Sequence, residues 1–498
     1  MRSELHRVQS DCYKLIYDNE GKKEETLELV VPDRCGDIGR ILDVRAQLYL
    51  VSKKLLDGEA HISSRAELCV IFCAEETGAI EYVTAELRFE QQFSIGESDC
   101  ELFAQVRLAS VDARALNPRK LLLRAECCAH ARCYTSEQFT VWDGFELDSP
   151  PPAYIQKKEL IHSLLTDLRE KSFTISDEYT LPAKYSGAKM LSTETELSVY
   201  DVKPVGNKLV FKANANTAAL FLNTEDGSVF KYDFSSQFSQ IIEIDATEEA
   251  ASFVFPALKE TEFVSLPDRE GVCFSMRLTM TAQAICQKSV VSSFIADAYS
   301  TSYELSTEAQ ELSYTRLATS ARLRIPLKGK LPSGGNYRSL AYITPISVNC
   351  MAEGASIICR AELCGFAENE DGEHVPLRLT LSAEEQLSLA ERQRLELISF
   401  CGEPLSVEQG GEVSLAVTVE YSIYEQGSIT AVRELYYDEE KPINQSELPS
   451  LTVLIAPGND ELWTLAKKYG STVELITAVN SCGEDFSPSK RPLLIPRA

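Results

Sequence analysis

The chain has 498 residues, 44% of them hydrophobic and 25% charged, a length at which one hydrophobic core gives way to several and three or four domains are expected. Lys and Arg number 49 against 75 Asp and Glu, a net charge of −26, so the summed field repels phosphate backbones and anionic lipid, and no nucleic acid is expected as a partner. The opening Met1-Arg2-Ser3-Glu4-Leu5-His6-Arg7 has no apolar run behind it, and no stretch approaches the ~18 apolar residues of a membrane span, so a cytoplasmic chain without membrane insertion is expected. The cysteines are odd in number, 15, and irregularly spaced; reduced and mostly buried thiols are expected.

The chain repeats itself. Pro32, Pro182 and Pro332 close three similar strands at an interval of 150 residues, and Gly58, Gly206 and Gly354 follow at an interval of 148. A second series, Gly78, Gly227 and Gly372, ends the acidic turns Glu76-Thr77-Gly78, Glu225-Asp226-Gly227 and Glu370-Asp371-Gly372, which read as hairpin signals. Arg65-Ala66-Glu67-Leu68-Cys69 recurs as Arg360-Ala361-Glu362-Leu363-Cys364 at matching register. A period of that size is one domain, so the expected divisions are 1–148, 149–300 and 301–440, with a linker over 441–449 and a tail over 450–498.

In chain order, Val44, Ala46, Leu48 and Leu50 alternate with Arg45, Gln47, Tyr49 and Val51, the period of a half-buried strand. Cys127-Cys128-Ala129-His130-Ala131-Arg132-Cys133 resembles a metal cluster in composition, but on a strand Cys127 and Cys133 face away from Cys128 and His130, so no metal is expected there. After Ser149-Pro150-Pro151-Pro152 breaks the chain, Ile161, Leu164, Leu165 and Leu168 fall at i, i+3, i+4, i+7, which predicts a linker helix. The second copy alternates again at Thr195, Leu197 and Val199. The run Glu384 to Arg394 has helix propensity but sits in register with the strand around Phe89 and Phe93; the repeat favours a strand. The fold class is therefore mainly β: three tandem antiparallel β-sandwich or barrel-like repeats plus a small βααβ C-terminal domain.

In that tail, Leu451 to Ala456 reads as a strand, and Asp460 caps a helix whose Leu462, Leu465, Ala466 and Tyr469 share one face, stopped by Gly470. Ser471-Thr472-Val473-Glu474 is a capping box opening a second helix with Val473, Ile476 and Val479 inward, and Pro492-Leu493-Leu494-Ile495-Pro496 closes as a strand. The segment from Pro457-Gly458-Asn459-Asp460-Glu461-Leu462-Trp463 through Ala466-Lys467-Lys468-Tyr469-Gly470 and Asn480 to Ile495-Pro496 resembles a LysM domain. That resemblance implies a shallow groove for glycans containing N-acetylglucosamine, with Gly458, Asn459, Asp460 and Glu461 on one side and Asn480, Ser481, Cys482 and Gly483 on the other. Trp463 is either a sugar platform or a core anchor. Acidic Asp460 and Glu461 suit a protein partner at least as well as a sugar.

The three repeats, with a strand ending in Pro, an alternating strand, a turn Gly and Leu116-Asn117-Pro118-Arg119-Lys120 before Leu121-Leu122-Leu123, resemble the SPOCS domain of endospore-forming Firmicutes, often tandem and followed by LysM. The resemblance implies a spore-morphogenesis scaffold of the clostridial kind, in the mother-cell cytoplasm at the forespore surface. Its expected partners are spore coat morphogenetic proteins, with self-assembly through strand edges. The alternative is a protein bound to peptidoglycan or cortex glycan. His6, His61, His162 and His374 are scattered, with no nucleophile elbow, phosphate loop or metalloprotease pattern; no catalysis and no cofactor are expected. Arg119 and Lys120 read as solvated turn charges.

Overall fold

The computed structural model describes residues 2–145, 153–185, 187–245, 250–266, 272–332, 337–408, 410–443, 449–455, 461–481 and 492–498. The protein is mainly β, and one pattern of six strands occurs three times along the chain. First come β1 (Leu5–Val30), β2 (Ile38–Leu56), β3 (Glu59–Ala74), β4 (Ile80–Ser94), β5 (Glu101–Asn117) and β6 (Lys120–Phe145). β1-β6-β5 pair antiparallel, as half of a six-stranded sheet that the Tyr13–Leu165 pairing joins to the next set, and β2-β3-β4 form a separate sheet. The second set is β7 (Tyr154–Thr180), β8 (Ala188–Val205), β9 (Lys208–Asn223), β10 (Val229–Glu243), β11 (Ala251–Ser265) and β12 (Cys273–Tyr299), paired as β7-β12-β11 and β8-β9-β10. The third is β13 (Tyr303–Lys330), β14 (Ser339–Glu353), β15 (Ser356–Glu368), β16 (His374–Gln386), β17 (Gln393–Gly402) and β18 (Glu412–Pro442), paired as β13-β18-β17 and β14-β15-β16.

The punctuation residues act alike in each set. Gly58, Gly206 and Gly354 turn the hairpins at φ of 77°, 60° and 60°, conformations that any Cβ would strain. One residue ahead of each closing proline, Val31, Leu181 and Leu331 donate to the carbonyls of Arg119, Val272 and Gly411 at 2.8 to 2.9 Å. Proline can end the ladder there because its missing N–H falls just beyond the last bond. Arg119 is no solvated turn charge: it donates to the carbonyls of Cys35 at 2.6 Å and Val31 at 2.9 Å, tying the β5–β6 turn to the end of β1.

Where the two sheets of a set face each other they enclose a core, such as Val44, Leu68, Phe72 and Phe89 with Leu121 and Leu123. The long strands continue past these cores and pack on one another. Val141 of β6, Leu160 of β7, Phe294 of β12 and Ala431 of β18 share one buried cluster, so the outer halves of all three long hairpins form a common stem. His162 lies inside it, 1% exposed, its ring 4.3 Å from Phe139 and its Nε2 2.9 Å from Ser292 Oγ. Burial lowers its pKa from the ordinary 6.5. As pH falls below 6.5 the unfolded chain takes up this proton first, so the contribution of His162 to stability is present above that value and lost below it. His162→Phe is expected to flatten this part of the pH profile in urea melts between about pH 7.5 and about pH 5; an unchanged slope would show that His162 contributes nothing to it.

The predicted linker helix is absent. Residues 154–180 form the single strand β7, in which Leu160, His162 and Leu164 alternate inward. The ladder to β12 then shifts, Gln287 opposing Leu165 and Cys286 opposing Asp167. This bulge at Thr166 changes the parity, so that Leu164, Leu165 and Leu168 fall at helical spacing on an extended chain. Glu384 to Gln386 end β16 and Gln393 begins β17, with no helix between. The prolines at 150–152 lie outside the described residues. Cys127, Cys128 and Cys133 are buried in β6. His130 pairs with Asp18. The expectation of thiols throughout fails at one pair: Cys350 and Cys359, directly opposed across β14 and β15 with Cα atoms 4.2 Å apart, form a disulfide.

The inner strand edges do not stay open. Gln283 of β12 donates to the Ala104 carbonyl at 2.7 Å and accepts its N–H at 2.9 Å, pairing the edge of β5 as a neighbouring strand would. Gln47 of β2 accepts the N–H of Thr195 on β8, and Arg322 of β13 donates to the Val199 carbonyl at 3.2 Å. Edges expected to drive self-assembly are thus partly satisfied by side chains of the neighbouring set.

The deepest junction lies where β2, β8 and β14 meet. Arg45, Glu194 and Thr344 occupy equivalent positions, opposite Cys69, Ala218 and Cys364 in their hairpins. They converge on one another. Arg45, 1% exposed, donates from Nε to Glu194 Oε1 at 2.5 Å and from Nη2 to Glu194 Oε2, and also reaches the carbonyls of Pro345 at 2.9 Å and Thr344 at 3.5 Å. Tyr342 Oη donates to Asp43 Oδ2 at 2.7 Å, beside the same guanidinium. Around this polar knot Ile71, Leu220 and Phe366, one from each set, close an apolar shell. Burial pushes the carboxyls of Asp43 and Glu194 upward, against the pull of Arg45.

Candidate functional site: the C-terminal module and its seat

The tail folds as strand, helix, helix, strand: β19 (Leu451–Leu454), α1 (Leu462–Tyr469), α2 (Val473–Asn480) and β20 (Leu493–Pro496), with β19 and β20 antiparallel. Its core is Leu462, Leu465, Ala466, Ile476, Leu493 and Ile495. Gly470 ends α1 at φ 63°, where its N–H caps the Ala466 carbonyl. The second cap falls one residue later than the sequence suggests: Thr472 Oγ1 accepts the N–H of Leu475 at 3.1 Å, while Ser471 turns its hydroxyl to the Pro496 carbonyl. Val479, expected inward, is 46% exposed, because α2 buries chiefly Ile476.

Of the groove carried over from the LysM resemblance, Gly458, Asn459, Asp460, Cys482 and Gly483 lie outside the described residues. The remaining three, Glu461, Asn480 and Ser481, are described, as is Trp463. Glu461 is exposed at the start of α1 and makes no side-chain cap. Asn480 is committed to structure: its amide donates to the carbonyls of Ile476 at 2.7 Å and Leu494 at 2.6 Å and accepts the Leu494 N–H at 2.9 Å, clamping α2 to β20. Ser481 follows in a left-handed conformation at φ 50°.

Trp463 faces the body of the protein. Its Nε1 donates to Asp297 Oδ2 at 2.9 Å, and its ring meets Tyr299 edge-on at 4.9 Å. Lys467, one turn on, reaches both oxygens of Asp297 at 2.7 and 2.9 Å. Burial works against ionisation of Asp297, but the bonds from Lys467 and Trp463 outweigh it and hold the carboxyl below its ordinary range. Tyr299 is 5% exposed, stacks on Tyr154 at 5.4 Å and donates to the Ser471 carbonyl at 2.9 Å, so it belongs to the module's core as much as to β12. The end of the second set is thus a built seat for the tail. Sequence reasoning missed Asp297 and Tyr299, since nothing local to Ala296-Asp297-Ala298-Tyr299 marks a partner 166 residues away.

The module also exposes several apolar side chains. On β19 the outward residues Leu451 and Val453 are 47% and 50% exposed, Ile455 beyond them is 82% exposed, and Leu475 on α2 is also exposed. Among the described residues no group of three or more His, Cys, Asp or Glu is placed to hold a metal ion, and no helix is long and apolar enough to cross a membrane. No family model, curated protein or solved structure matches the chain.

Proposed function

We propose that this chain is a non-enzymatic spore-morphogenesis scaffold, whose LysM-like tail and three β-sandwich-like, SPOCS-like repeats link assembly of the coat basement layer to the forespore surface. The observation that carries the reading is the orientation of the tail. Trp463, the side chain best suited to stack on a sugar, is spent on Asp297 and Tyr299, while Leu451, Val453, Ile455 and Leu475 of the module stand exposed. Glycan recognition by stacking needs an exposed ring, whereas exposed Leu, Val and Ile suit a protein partner. The interlocked body favours a rigid hub that holds the tail in a fixed direction, and tandem modules on one chain add avidity through effective concentration.

The test uses the whole chain and a chain ending at Pro442, each presented to a purified coat basement-layer protein and to peptidoglycan sacculi. The expected result is capture of the coat protein by the whole chain, loss of capture by the shortened one, and cooperative melting of both. Retention on sacculi alone would replace this reading with the runner-up, a protein bound to peptidoglycan or cortex glycan.

A further inference from the structure

The two edges of the tail's small sheet are finished differently. On the β20 side, the Asn480 amide donates to the Leu494 carbonyl at 2.6 Å and accepts the Leu494 N–H at 2.9 Å, so both backbone groups of Leu494 turn away from β19 and are satisfied. Val453 stands directly opposite Leu494, and in line with the same ladder the Arg497 N–H donates to the Ser450 carbonyl at 3.1 Å. Along an antiparallel ladder, pairs that exchange hydrogen bonds alternate with pairs that do not. Thr452–Ile495 is therefore a bonded pair and Val453–Leu494 is not, which points the N–H and C=O of Val453 out from the other edge of β19. Among the described residues no hydrogen bond reaches them.

Open strand edges are commonly blunted by Lys, Pro or a bulge. β19 carries none of these: Leu451-Thr452-Val453-Leu454 pairs without a register shift, and no charged residue occurs from Leu448 to Asn459. The edge is also its own complement. Antiparallel pairing of two copies about Val453 sets Val453 against Val453, Leu451 against Ile455 and Thr452 against Leu454, so exposed aliphatic side chains meet and no like charges oppose. Charge favours the same contact. The chain carries a net charge of −26, yet residues 450–498 hold five Lys and Arg against five Asp and Glu, so the acidity lies in the body. Two copies meeting tail to tail avoid the repulsion that their bodies exert.

We propose that the open β19 edges of two chains pair antiparallel about Val453, joining the two tails into one continuous sheet. Strands this short bury far less than the ~1,200 Å² of a stable interface, so the dimer is weak, with a Kd on the order of 100 µM. Sedimentation velocity of the full-length chain between about 5 and about 500 µM, in about 150 mM salt to screen the acidic bodies, should show a monomer–dimer equilibrium. No coat protein is present, so the result is independent of the function proposed above. Val453→Pro removes the outward N–H while the bonds to β20 stay with Thr452 and Leu454, and Val453→Lys sets like charges opposite each other at the two-fold axis; each should weaken association at least about tenfold. Leu475→Lys alters an exposed aliphatic residue of α2, off this edge, and should leave association unchanged. Thermal melts establish that each variant is folded, and if Val453→Pro is not, Val453→Lys decides alone. A monomer at every concentration, association indifferent to the Val453 variants, or equal weakening by Val453→Lys and Leu475→Lys would each overturn the pairing.

Discussion

Arg45→Met is expected to lower the stability of the protein by about 3–5 kcal/mol, the cost of leaving buried carboxylates without their cation. The methionine fills most of the space, so the loss comes from charge. Asp43 and Glu194 then face each other inside the shell of Ile71, Leu220 and Phe366, and the carbonyls of Thr344 and Pro345 lose their donor. Both carboxyls already carry a burial penalty with Arg45 present, so the variant should protonate them and become steeply less stable as pH rises through the carboxylate range. The companion Arg45→Met with Glu194→Met removes charge from both sides and should recover about half of the loss. Urea denaturation near neutral pH measures both. A loss under about 1 kcal/mol for the single variant would mean that water reaches the junction and that the three sets are not locked there.

That lock was only half visible in the sequence. The period of 150 residues, the glycines that turn each hairpin and the alternation through Val44 to Val51 are local signals, and each survives because turn and pleat geometry act over a few residues. Arg45, by contrast, reads as an outward strand residue. Only packing of the three sets against one another buries it, and its partners come from 149 and 299 residues away. A signal did exist: positions in register across the copies carry Arg45, Glu194 and Thr344, two opposite charges and a neutral residue, as a heterologous centre requires and three like charges would forbid. The helix expected over Ile161 to Leu168 failed for another reason. Hydrophobic spacing reports a period only while the register is continuous, and the bulge at Thr166 interrupts it. In the tail, the helices and the Gly470 stop were legible because caps are local. The direction in which Trp463 points was not, since it depends on Asp297 and Tyr299 of a distant strand.

Trp463→Ala should release the tail from its seat at a cost of about 2–3 kcal/mol, less than the ~3–5 of a fully enclosed Trp because this ring is half-buried. The size of the module makes the consequence larger than the number. Its core of Leu462, Leu465, Ala466, Ile476, Leu493 and Ile495 is completed by Tyr299 from the body, and a unit of about 50 residues has little stability in reserve. Losing the indole removes the Asp297 bond and the edge contact with Tyr299 together, leaving Lys467 as a partly exposed ion pair worth at most about 1 kcal/mol. Hydrogen exchange at the amides of α1 and α2 should therefore accelerate by about 30- to 150-fold, while the amides of β3 and β9 keep their protection. If the scaffold reading is right, the same variant should hold the coat partner less tightly even though the aliphatic face of β19 is untouched, because a swinging tail loses the effective concentration that a fixed one supplies. Unchanged exchange in the helices would show that the module stands by itself, and the seat at Asp297 and Tyr299 would then be a contact without mechanical consequence.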